Sequence, residues 1–142
     1  FASRDAMLAE AADRAGAESV AAAADVVAQV PPAQALAAML RAYLSQAHVA
    51  HPELGCPAAA LGSEMPRQAP EVRRAATRRI KEMVDLVARQ SPDWGQPGAH
   101  EQALVTVATM VGAVVLARAV DEPGLSDAFC QAALAHLVPQ QG

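Results

Sequence analysis

Ala99-His-Glu-Gln-Ala-Leu-Val-Thr-Val-Ala-Thr-Met-Val-Gly-Ala-Val-Val-Leu-Ala-Arg-Ala119 decides the fold. The stretch holds no proline and is apolar almost all round, so it predicts a helix over about 99–120. Val107, Met110, Val114 and Ala117 share one side, while Ala108, Gly112, Val115 and Ala119 share the other. A helix that is apolar all round must be buried on two sides, and one small domain rarely covers both. The row of small residues on the second side lets another helix approach closely. Upstream lies a breaker-rich loop with Pro92, Trp94, Gly95, Pro97 and Gly98. Downstream, Asp121-Glu122-Pro123-Gly124 is a turn before a last helix over about 126–138, which offers Phe129, Cys130, Ala133, Leu134 and Leu137.

The rest of the chain agrees with that helical beginning. The 142 residues suit one domain and can bury a real core. About a quarter of them are alanine, the best helix former, and only 3% are aromatic, so an all-α fold is expected. A net charge of −4 argues against a surface built to neutralise phosphates. Cys56 and Cys130 are too few for a disulfide scaffold or a thiolate zinc site. The longest apolar run, Ala103 to Ala117, falls short of the roughly 18–20 residues a bilayer demands, and no signal peptide is visible. A cytoplasmic protein with no membrane partner is the expectation. The chain begins at Phe1 rather than methionine and reads as a fragment of a longer protein.

Five further regions are helical by pattern. Ser3 caps a helix over about 4–15, with Gly16 as its stop, and an alanine-rich helix follows over about 18–29 until Pro31-Pro32. A third helix, about 33–49, places Leu36, Met39, Leu40, Tyr43 and Ala47 on one face, and Pro52 and Gly55 end it. Residues 56–66 fit a short helix between prolines, with Pro57 in its first turn. Pro70 opens a long helix to about Gln90, with an apolar stripe of Val72, Ala76, Ile80, Met83, Val84 and Val87. Its other face carries the chain's basic concentration, Arg73, Arg74, Arg78, Arg79, Lys81 and Arg89, together with Glu71, Glu82 and Asp85. That mixture reads as a solvated face with Arg78–Glu82 and Lys81–Asp85 pairs at i,i+4.

Three segments carry a resemblance. Phe1-Ala2-Ser3-Arg4-Asp5-Ala6-Met7-Leu8 resembles the junction after the recognition helix in tetracycline-repressor (TetR) family regulators. His51-Pro52-Glu53-Leu54-Gly55-Cys56-Pro57, followed by Ala58 to Leu61, Glu64, Pro70, Glu71 and Val72, is similar to the middle of one subgroup's C-terminal domain. The run Gly112 to Ala119 before an acidic-proline turn resembles that subgroup's penultimate helix. The resemblance spans essentially the whole chain and rests on order and spacing. It implies an all-α regulatory domain over residues 1–142, with a small-molecule pocket and a homodimer made by the last two helices as a four-helix bundle. It also implies a three-helix DNA-binding unit ahead of Phe1, so DNA contact belongs to the parent protein, not to these residues. The expected dimer interface is Ala108, Gly112, Val115 and Ala119 with Phe129, Ala133 and Leu137.

Chemistry is thin elsewhere. His48, His51, Glu53 and Cys56 can all ligate zinc, but their spacing is not that of a standard finger, and a turn with polar side chains is the preferred reading. Cys56 near a helix start is a redox candidate, with Cys130 as its oxidation partner, against the ordinary reading of a buried free thiol. A Cys56 nucleophile with His48 or His51 is the enzymatic alternative. No Ser-His-Asp order or glycine-rich phosphate loop stands out, so no enzyme, cofactor or metal is expected. For ligand binding the candidates are Met39, Tyr43, Cys56, Leu61, Met65, Met83, Val87 and Met110, with Trp94 also considered. Thioethers adapt to irregular apolar shapes and a tyrosine adds one directed hydrogen bond, although plain core packing would use the same residues. The resemblance favours a pocket for a small, mostly apolar effector, with Tyr43 as polar anchor. The alternative function is a helical dimerisation domain without an effector.

Overall fold

The structure, a computed structural model, describes residues 3–52 and 56–138, which form helices and turns without a strand. Phe1, Ala2 and Glu53-Leu54-Gly55, on which part of the resemblance and one metal-ligand candidate fall, lie outside the described residues. The α-helices are α1 (Arg4–Ala28), α2 (Ala35–Tyr43), α3 (Gln46–Ala50), α4 (Pro57–Leu61), α5 (Pro70–Arg89), α6 (Ala99–Ala119) and α7 (Pro123–Leu137). A 3₁₀ turn precedes α2 at Pro32–Gln34, and another follows α4 at Gly62–Arg67.

Helix starts follow local chemistry. The Ser3 hydroxyl accepts from the Ala6 N–H at 3.0 Å, and Pro57, Pro70 and Pro123 open their helices where a missing N–H does no harm. Gly98 begins α6 at φ +95°, a backbone conformation that favours glycine.

Two expected boundaries move. Gly16 does not stop a helix; it lies buried in the middle of a continuous α1. A Cβ there would stand 2.5 Å from Arg79 Cγ and 2.6 Å from Arg79 Cβ, so the glycine is a notch that admits the arginine stem of α5. The expected 33–49 helix breaks at Ser45. The Ser45 hydroxyl donates to the Ala42 carbonyl at 2.8 Å and accepts from the His48 N–H at 3.2 Å, which ends α2 and starts α3.

α1 packs chiefly on α5, and α6 packs on α5 and α7, with α2 against α1 and the short α4 touching both α1 and α6. Leu40, Val72, Met110, Val114 and Cys130 are the largest fully buried side chains. The α5 ion pairs differ from the expected ones. Arg78 reaches Asp13 of α1 at 2.7 Å, and Arg79 joins Asp13 at 2.9 Å and Glu82 at 2.8 Å. The partner across the groove wins because one carboxylate at Asp13 can serve two guanidiniums at once.

α6 has the length and apolarity of a membrane span, at mean hydropathy 1.6, but its Ala103, Met110, Val114 and Ala117 side is core. Its other side stays open, with Val105 51% and Leu116 46% exposed and Leu104 and Val115 beside them.

Candidate ligand-binding site

A cavity of about 610 Å³ lies between α1, α5 and α6, closed at one end by Tyr43 and the Cys56–Pro66 segment. That volume falls within the roughly 300–1,000 Å³ of small-molecule sites. α5 contributes Arg73, Ala76, Thr77, Ile80, Met83 and Val84, one helical stripe. α6 contributes Leu104, Val107, Ala108, Met110, Val111 and Gly112; α1 contributes Ala12, Gly16, Ser19 and Val20. The lining is overwhelmingly apolar.

His48 stands behind the Tyr43 and Cys56 part of its wall. The His48 Nδ1 lies 2.7 Å from the Tyr43 carbonyl oxygen, and the Cys56 backbone N–H donates to His48 Nε2 at 3.0 Å. One nitrogen must donate and the other accept, so this geometry requires the neutral ring with its proton on Nδ1. Burial disfavours the charged ring and the Arg118 guanidinium repels it, while the Tyr43 carbonyl pulls the other way, and the net result is a lowered pKa. Arg118 of α6 in turn donates to the His48 and Val49 carbonyls at 2.6 and 3.1 Å, holding the C-terminal end of α3. The three residues tie α2, α3, α4 and α6 together at one end of the cavity.

Tyr43 stands in that wall with its ring tilted against His48, centroids 4.5 Å apart. Its hydroxyl is buried and has no hydrogen-bond partner. Burial, with the Cys56 thiol beside it, pushes the phenol well above its ordinary pKa, so it remains a donor. A buried hydroxyl without a full hydrogen-bond partner costs about 1–3 kcal/mol. Along the opposite flank, Arg79 is fixed by Asp13 and Glu82 while its stem fills the Gly16 notch. Hydrogen bonds from Arg79 and Arg78 hold the Asp13 carboxyl down to about 2.

The all-helical fold agrees with what comparison finds. Residues 32–124 match the family of the transcriptional regulator LmrA/YxaF-like C-terminal domain, a TetR regulator family. The chain belongs to that family. No curated protein matches it. The matched segment runs from the turn before α2 to the start of α7, so it contains the α2, α4, α5 and α6 walls of the cavity and omits the α1 wall. As an LmrA/YxaF-like domain, the chain is the regulatory part of a transcription regulator.

Six of the eight ligand candidates meet at the cavity: Tyr43, Cys56, Leu61, Met65, Met83 and Met110. Met39 and Val87 do not. Both are 2% exposed and belong to the solid core, because an inward stripe marks what is buried and not which part of the interior is hollow. Trp94 is exposed in the loop before α6, away from the cavity. Ile80, expected inside, is 42% exposed and lines the cavity.

The expected interface residues also divide. Val115 and Ala119 lie on the open side of α6, whereas Ala108 and Gly112 also line the cavity. On α7, Ala133 is core and Phe129 and Leu137 pack half-buried against it. The exposed face of α7 carries Leu125, Ala128, Ala132 and Ala135. Alanine on every side of the helix left its phase invisible in the sequence.

Cys56 and Cys130 are both buried free thiols. Burial and the nearby Asp127 push the Cys130 thiol up, away from thiolate chemistry. Both His48 nitrogens are engaged, and among the described residues no His, Cys, Asp and Glu side chains gather as a metal site.

Proposed function

We propose that this domain binds a small, mostly apolar effector in the α1–α5–α6 cavity, forms a homodimer through α6 and α7, and relays occupancy to a DNA-binding unit ahead of α1. The observation that carries the reading is the large, overwhelmingly apolar cavity itself, with Tyr43 in its wall. α1 forms one wall of that cavity and is fastened to α5 beside it through Asp13 and Arg79. An effector that fits one setting of α1 better than another shifts the population toward it. Half-sites on DNA lie about one helical turn apart, so a small change in the separation of two α1 helices alters operator binding. The domain is read as cytoplasmic and without a catalytic role.

The dimer reading draws support from the open apolar side of α6 and the alanine face of α7. A stable pair would bury at least about 1,200 Å² in total. A dimerisation domain without an effector is the second reading. Calorimetric titration with a panel of apolar small molecules separates the two. Binding that weakens roughly two- to twelve-fold in Tyr43→Phe, the range for one neutral hydrogen bond, supports the sensor. A panel that binds nowhere leaves only dimerisation.

A further inference from the structure

Among the described residues, the charged ones in the cavity lining are Arg73 and Arg79, with no carboxylate beside them in it. This occurs in a chain whose net charge is −4. Arg79 is neutralised by Asp13 and Glu82. Arg73 is solvent-exposed, and its guanidinium makes no ion pair or hydrogen bond among the described residues. It shares the α5 stripe with Thr77, Ile80 and Val84, one helical turn apart in sequence, so it sits at the rim of the same cavity. The eleven steps from Arg73 to Val84 extend about 16 Å at ~1.5 Å per residue. The exposed Arg73 guanidinium therefore marks an open edge of the cavity.

We infer that the effector is an amphipathic carboxylate, with an elongated apolar body along α5 and its acidic group held at the rim by Arg73. The inference rests on the sensing reading above and adds the ligand's charge and polarity. A guanidinium pairs with a carboxylate through two parallel N–H donors, and a neutral or cationic head group gains nothing comparable there. At a solvent-exposed rim such a pair is worth only a modest factor and is weakened by salt.

The test is calorimetric titration of the 142-residue chain with dodecanoate, dodecan-1-ol and dodecyltrimethylammonium, each below its micelle-forming concentration. Dodecanoate is expected to bind about three- to tenfold tighter than dodecan-1-ol, with the cationic probe weakest. Arg73→Gln is expected to remove that preference, so that dodecanoate binds no tighter than dodecan-1-ol. Arg74→Gln, a neighbour outside the lining, keeps it. Equal affinity for the three probes in the wild-type chain overturns the carboxylate assignment while the cavity reading stands. Equal losses in Arg73→Gln and Arg74→Gln overturn it too, as diffuse attraction to a basic helix. If none of the three probes binds, the elongated-carboxylate assignment falls, and the panel titration above decides the sensing reading separately.

Discussion

The α1–α5 seam and the α6–α7 pair are built on different physics. α6 and α7 pack on one another with Val114, Cys130 and Ala133 buried, and leave an apolar outer side. α1 and α5 meet through a glycine notch, a shared carboxylate and two arginines, with a cavity beside them. Close packing resists displacement, because every shifted atom loses contacts on all sides. A seam held by partly exposed ion pairs next to a void has softer alternatives. One pair is suited to be a fixed platform, and the other to move with a ligand.

Truncation should separate the two most sharply. Leu40→Ala, in the solid core, is expected to destabilise the domain by about 2–5 kcal/mol in urea unfolding. Ile80→Ala, on the cavity wall and 42% exposed, should lose less than about 1 kcal/mol, since there is already space beside it. Equal losses would erase the distinction between packed and hollow regions. Next in size, Gly16→Leu should destabilise by about 1–3 kcal/mol, because a side chain there collides with Arg79 Cβ and Cγ. Hydrogen exchange in that variant should rise along α1 and not along α7.

These outcomes bear on what the sequence could reveal. α5 and α6 were legible because Pro70 and Gly98 punctuate them and their stripes are long. Gly16 was misread as a stop because its partner, Arg79, is distant in sequence, and a glycine that ends a helix looks the same as one that admits a side chain. The cavity walls on α2, α4, α5 and α6 were legible as inward faces. The α1 wall was not, since Ala12, Gly16 and Ser19 carry no apolar contrast, and Arg73 read as one more solvated cation. Periodicity reports which side faces in; only the assembled helices determine where that side meets empty space.

Two acid-dependent losses sharpen the comparison further, and they occupy different pH windows. His48 has its folded pKa lowered from 6.5, so the unfolded chain binds the proton more readily. Its contribution is complete above about 6.5 and declines as the pH falls below it, loosening the Tyr43–Cys56 end of the cavity. Asp13 has its folded pKa lowered from 3.8 to about 2. Its contribution is present above about 4 and is lost as the pH falls toward 2. Melting temperatures across pH should show the upper decline vanish in His48→Asn and the lower one vanish in Asp13→Asn. High salt should shrink the difference between wild type and Asp13→Asn, because that pair is partly exposed. A lower decline that persists in Asp13→Asn would contradict the account of the seam.

The most direct test of the sensing cavity is a melting-temperature screen of wild type against Met110→Trp, each checked for oligomeric state by sedimentation. Met110 is fully buried and lines the cavity, away from the open side of α6. An indole at that position should fill the void without touching the dimer face. The account predicts that a compound raising the wild-type melting temperature leaves Met110→Trp unmoved, while both proteins sediment alike as dimers. A compound that stabilises both equally, or a wild-type chain that no apolar compound stabilises, would contradict it.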